Sequence, residues 1–210
     1  MDIGFWHQKW EKNEIGFHIN KANPMLVKYF HKLALSKDSR IFLPLCGKTL
    51  DIAWLLSEDF RVVGVELSDV AIKQLFAELG VEPRRSKSRK LELFSAQNID
   101  IFCGDIFELS DEILGKVDTI YDRAALVALP NAMRKQYAAH LLKITKAAPQ
   151  LLISFEYDQN VMEGPPFSVS NEEVKQHYQD HYEVNLLENM DIPGGLKGKC
   201  AAEEKVYLLQ

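Results

Sequence analysis

The chain has little of what marks most specialised proteins. Only 3 of its 210 residues are cysteines, Cys46, Cys103 and Cys200, and none stands in C-x-x-C spacing. That odd, sparse set argues against a secreted disulfide framework and for small buried side chains in a reducing compartment. No apolar run is long enough to cross a bilayer, and the N-terminus lacks the basic flank and apolar block of a signal peptide. The expectation is therefore a cytoplasmic chain without a membrane partner. Positive charge is also short: Lys and Arg number 25 against 30 Asp and Glu, for a net charge of −5, which disfavours a nucleic-acid partner. Several chemical motifs are missing as well. There is no G-x-G-x-x-G, no nucleophile elbow of the G-x-S-x-G kind and no N-P-P-Y-like stretch. "HYQDH" at 177–181 lacks the glutamate of a metalloprotease helix, and no metal site is expected. "CGKT" at 46–49 resembles the end of a phosphate loop, but Phe42 stands where that loop needs its first glycine. A nucleotide triphosphatase is excluded.

What is present is an alternation. Apolar, β-branched runs at 40–45, 60–67, 99–105, 117–122 and 150–157 read as strands. Helical spacing occupies 24–35, 48–58, 68–79, 131–145 and 171–181, with Pro24 and Ser68-Asp69 as start signals and Gly80 as a stop. Strands alternating with helices predict right-handed βαβ units and a doubly wound, mostly parallel α/β sheet. Two further strand-like segments, 182–188 and 204–210, are joined by Gly- and Pro-rich sequence without helical pattern, which suits an antiparallel hairpin. Seven strands in a single domain spanning 1–210 are expected. The basic run at 82–90 reads as a solvated loop.

Three charged residues fall at strand tips, where an open α/β sheet forms its crevice. Glu66 ends the second strand, about twenty residues after the first strand's turn, the position from which an acid accepts hydrogen bonds from ribose hydroxyls. Its alternative role, capping the next helix, is already filled by Ser68 and Asp69. Asp105 ends the third apolar run, and could accept from an adenine amino group while Ile106 packs on the ring. A helix cap is an equally good account of it. Arg123 follows "IYD" and would pair with a carboxylate or an anionic substrate; the alternative is a salt bridge with Asp122 or another neighbour.

This combination resembles a class I S-adenosylmethionine-dependent methyltransferase. More narrowly, "FLPLCGKTLDIAWLL" followed by "VVGVELS", with "FWHQKW…GFH", "DRAALVALP" and "GPPFSV", resembles the thiopurine S-methyltransferase family over about 5–175. The shortened end, "NMDIPGGLKGKCAAEEKVYLL", is similar to bacterial members. The resemblance implies a Rossmann-like fold, S-adenosylmethionine as cofactor, and an N-terminal helical lid over 1–24. It implies that Trp6, Trp10, Leu45, Glu66, Asp105, Ile106 and Arg123 frame the cofactor. Phe17 and the Pro165–Pro166–Phe167 loop are implied to hold a small thiol or chalcogen acceptor, with Arg123 acting catalytically. A monomer is expected. Alternatives are detoxification of inorganic selenium or tellurium species, and cofactor sensing without catalysis.

Overall fold

The computed structural model describes residues 3–16 and 19–210. The elements run α1 (Ile3–Glu11), α2 (Pro24–Tyr29), β1 (Arg40–Pro44), α3 (Asp51–Ser57), β2 (Arg61–Glu66), α4 (Asp69–Leu79), β3 (Arg84–Ser88), β4 (Leu91–Ala96) and β5 (Ile99–Cys103). They continue through α5 (Asp111–Leu114), β6 (Thr119–Arg123), α6 (Asn131–Thr145), β7 (Gln150–Tyr157), α7 (Asn171–Tyr178), β8 (Val184–Asp191) and β9 (Ala202–Leu209). The strands form one sheet of order β3-β4-β5-β2-β1-β6-β7-β9-β8.

Five parallel strands, β5, β2, β1, β6 and β7, make the centre. Each is a short apolar run because helices cover both of its faces. On one face Phe42, Val63, Ile120 and Leu152 pack with Tyr137 and Leu141 of α6 and Val174 of α7. On the other, Ile41, Leu43, Val62 and Leu151 pack with Leu26 of α2, Ile52 of α3 and Ile72 and Phe76 of α4. Neighbouring residues of one strand thus feed two separate cores, as the two-residue strand period requires.

Antiparallel hairpins close both edges. The C-terminal one is the expected hairpin, with β9 paired to β7 and β8 outermost. The other corrects the expectation: the basic run at 82–90 is not a loop but carries β3, which forms a hairpin with β4, so the sheet has nine strands rather than seven. The five β3 residues, RRSKS, are almost all exposed. An edge strand with no buried face has no apolar alternation to betray it, and its charges suit an edge that must not pair further.

Helix starts follow local chemistry. Asn23 caps α2 through the Met25 amide at 2.8 Å, and Ser68 caps α4 through the Ala71 amide at 3.3 Å. The helical pattern at 24–35 divides into α2 and a 3-10 turn at Phe30–Leu33. No helix among the described residues is long and apolar enough to cross a membrane.

Candidate cofactor and acceptor site

The carboxyl ends of β1, β2 and β6 open into one cavity of about 510 Å³. Parallel strands bring their tips to one edge, so residues far apart in sequence meet there. Leu45, just past β1, takes φ 47°, and Ala124, just past β6, takes φ 64°. Both line the cavity, and left-handed backbone at non-glycine residues is strain of the kind that collects at functional sites.

Glu66 is only 6% exposed. Its Oε2 accepts from the Gly47 amide at 2.8 Å and its Oε1 from the Ser68 amide at 2.8 Å. The one carboxylate therefore ties the turn after β1 to the start of α4. Burial pushes its pKa up, while these amides pull the other way. The "CGKT" turn serves this latch rather than a phosphate: Lys48 points to Glu78 of α4, with Nζ 2.6 Å from the carboxylate.

Gly47 has a second reason to be glycine. Its φ is 54°, and a Cβ there would lie 3.0 Å from Cζ2 of Trp10. Trp10 of α1 is 3% exposed, and with Trp6 it roofs the cavity. The chain beyond α1 is fixed by Asp51, a fully buried acid that accepts from the Asn23 amide at 2.6 Å and from the Tyr121 hydroxyl at 3.0 Å.

Arg123 is the last residue of β6 rather than the first beyond it. The alternative pairing with Asp122 does not occur. Asp122 turns into the core, where it accepts from the Tyr137 hydroxyl at 2.7 Å and the Leu126 amide at 3.1 Å. Burial pushes its carboxyl up to about 6 against those two donors. The Arg123 side chain instead borders the cavity and a second hollow of about 590 Å³, on whose wall Glu204 also lies. Burial pushes the Glu204 carboxyl up, and the Arg123 charge pulls it down.

Across from the strand tips, the loop at 158–169 is pinned. The Tyr157 hydroxyl donates to the Pro166 carbonyl at 2.6 Å, and the Phe167 amide donates to the Val127 carbonyl at 2.6 Å. Pro165 and Pro166 line the cavity, while Phe167 packs its ring on Gly164 behind them.

A family model described as "Thiopurine S-methyltransferase (TPMT)" matches residues 1–210. A thiopurine S-methyltransferase of Xanthobacter autotrophicus is 53% identical, covering 100% of this chain and 99% of that protein. One from Teredinibacter turnerae is 49% identical, covering 100% and 97%. The chain belongs to the thiopurine S-methyltransferase family. It is an S-adenosylmethionine-dependent methyltransferase. Solved structures share the fold at low identity. A methyltransferase of Anabaena variabilis has a TM-score of 0.65 at 16% identity, covering 99% of this chain and 95% of that one. The 1,6-didemethyltoxoflavin-N1-methyltransferase of Burkholderia thailandensis, which holds S-adenosylhomocysteine, scores 0.67 at 13% identity, covering 99% and 87%.

The methyltransferase cavity gathers seven residues singled out from sequence: Trp6, Trp10, Leu45, Glu66, Arg123, Pro165 and Pro166. Three others stand outside its wall. Asp105 caps the turn after β5 by accepting from the Phe107 amide at 3.0 Å, Ile106 is buried in the core, and Phe167 backs the proline wall. Asp105 is nonetheless next to the site, since the Gly104 amide donates to the Glu66 carbonyl at 2.9 Å. Phe17 lies outside the described residues. Sequence reading missed Phe155 of β7 and Lys197 of the β8–β9 connection, both cavity residues. Phe155 sits within an ordinary strand and Lys197 within a Gly-rich turn, so neither carried a motif. The donor set suits the cofactor: a buried acid for hydroxyls, indole faces for a sulfonium, and apolar walls between.

Proposed function

We propose that this methyltransferase moves the methyl group of S-adenosylmethionine onto the sulfur of thiopurines and related small aromatic thiols. The observation that carries the reading is a single cavity whose wall includes both the buried carboxylate of Glu66 and the guanidinium of Arg123. The thiopurine-based names of relatives up to 53% identical support a sulfur acceptor.

When bound, S-adenosylmethionine supplies an electrophilic methyl carbon on a positive sulfur. Glu66 accepts from the two ribose hydroxyls with the carboxylate lone pairs that Gly47 and Ser68 leave free. Asp105, at the adjoining strand tip, takes the adenine amino group, with Ile106 buried behind it rather than exposed to the ring. Trp6 and Trp10 exclude water and offer π-faces to the sulfonium, each worth about 0.5–2 kcal/mol. Leu45 shapes the floor between them. Pro165 and Pro166, backed by Phe167, hold the acceptor ring in line, and alignment supplies most of the acceleration. Arg123 favours the thiolate over the thiol, so the acceptor loses its proton to water without a strong general base.

Labelled methyl transfer from S-adenosylmethionine to 6-mercaptopurine tests the reading. Wild type should form the methyl thioether. Arg123→Ala should lose roughly 10–100-fold in kcat/KM, the range of a charge-assisted hydrogen bond, with a larger loss below the acceptor's pKa. Undiminished turnover in that variant removes Arg123 from the mechanism. Transfer to selenium or tellurium species alone moves the reading to metalloid methylation.

A further inference from the structure

Among the described residues, four cations border the cavity: Lys9, Lys48, Arg123 and Lys197. Two are neutralised locally, Lys9 by Glu14 at 2.6 Å and Lys48 by Glu78 at 2.6 Å. Arg123 and Lys197 make no ion pair among the described residues. The acids of the cavity wall are engaged, Glu14 by Lys9 and Glu66 by two backbone amides. Amide hydrogen bonds leave the Glu66 charge in place, so the wall sets one carboxylate against the two cations without an ion pair, Arg123 and Lys197. Glu204 also draws on the Arg123 charge, which leaves Lys197 as the local positive excess.

Lys197 is held there rather than loose in solvent. It lies within a turn closed by the Leu196–Cys200 bridge, at φ 54°. Its Nζ donates to the Pro165 carbonyl at 2.7 Å, which fastens the ammonium to the proline wall. Partial burial, followed by the charges of Lys199 and Lys9, pulls its pKa below the ordinary lysine value. An ammonium fixed at a cavity rim among like charges has an unmet demand for an anion.

The geometry points to Lys197 as a specificity-determining residue that, together with Arg123, selects acceptors carrying a negative charge beside the reacting sulfur. This rests on the acceptor reading above and narrows it to anionic thiols. Lys197 does not take part in bond making. It sets which ring settles against Pro165.

The test pairs an aromatic thiol bearing a ring carboxylate with its carboxamide, in wild type, Lys197→Met and Lys197→Arg. Wild type should favour the carboxylate. In Lys197→Met the ratio of kcat/KM, carboxylate over carboxamide, should fall roughly fourfold, the scale of a solvent-exposed charge pair, and the fall should appear in KM. Lys197→Arg should restore the ratio, and added salt should flatten it in wild type. An unchanged ratio overturns the proposal. So does an equal loss of S-adenosylhomocysteine affinity in a calorimetric titration, which would place Lys197 on the cofactor's carboxylate instead. Binding of the carboxylate thiol to the S-adenosylhomocysteine-loaded protein supplies a readout without turnover. Should wild type bind that thiol but methylate no sulfur, the functional reading fails while the weaker binding of Lys197→Met still decides the role of Lys197.

Discussion

The two sides of the cavity differ in how their polar groups are used. Around the tips of β1 and β2, Glu66 is buried, both of its oxygens are taken by backbone amides, and Trp10 seals the turn it holds. Around the tip of β6 and the proline wall, Arg123 and Lys197 make no ion pair among the described residues, and Lys197 is exposed at the rim. A side whose hydrogen bonds are fixed in advance recognises one ligand tightly, because little reorganisation is left to do on binding. A side with unneutralised charge and a simple apolar wall recognises a class of ligands. The difference fits a methyltransferase with one fixed cofactor and, on the function proposed above, a range of thiol acceptors.

The contrast can be broken most severely at Glu66. Glu66→Ala removes the acceptor proposed for the ribose hydroxyls and leaves two buried amides unsatisfied. S-adenosylhomocysteine should bind roughly 100-fold more weakly by titration calorimetry, and the thermal midpoint should drop as well. Wild-type affinity in that variant would falsify the assignment of the cofactor to this side. A smaller effect is expected at Gly47. Alanine there must adopt φ near 54° and push against Trp10, costing about 1–2 kcal/mol in backbone strain. Cofactor-product affinity should weaken roughly fivefold, with tryptophan emission shifting to the red as the roof lifts. An unmoved emission maximum would mean the indole does not rest on that turn.

The third variant tests Asp122, which adjoins Arg123 in sequence yet turns into the core rather than toward the cavity. Its folded carboxyl sits at about 6 against an ordinary 3.8, so the folded state holds the proton more tightly than the unfolded one. The associated stability is complete below about pH 4 and is lost as pH rises through about 6. Asp122→Asn cannot ionise and should escape that loss. Its urea-unfolding stability relative to wild type should improve between pH 4 and pH 7 by on the order of 2 kcal/mol. A constant difference across that range would show that folding does not raise the Asp122 pKa.

Much of this was legible in the order of residue types. The central strands are apolar because both faces are covered, and α6 falls on 131–145 as its spacing indicates. Glu66 stood out because a strand-tip acid beside an independent Ser-Asp cap had no local task visible in sequence; the fold gives it one, the latch between Gly47 and Ser68. Its bond to Gly47 was not, since it joins residues 19 positions apart through backbone groups that every sequence shares. The β3–β4 hairpin stayed hidden because exposed edge strands carry no alternation. Lys197 stayed hidden because only the folded turn brings it onto Pro165. Asp105 remained evenly divided between cap and ligand from sequence, and its bond to the Phe107 amide establishes the first role without removing the second.

That hidden hairpin bears on how copies of this chain can meet. The outermost strand on its side presents Arg84, Arg85 and Lys87 along five residues and no apolar side chain. Two molecules approaching border to border there would bring six positive groups together along an unshielded rim. Continuation of the sheet from one copy into the next is thereby discouraged at this margin, and any self-association in solution must be built on another face.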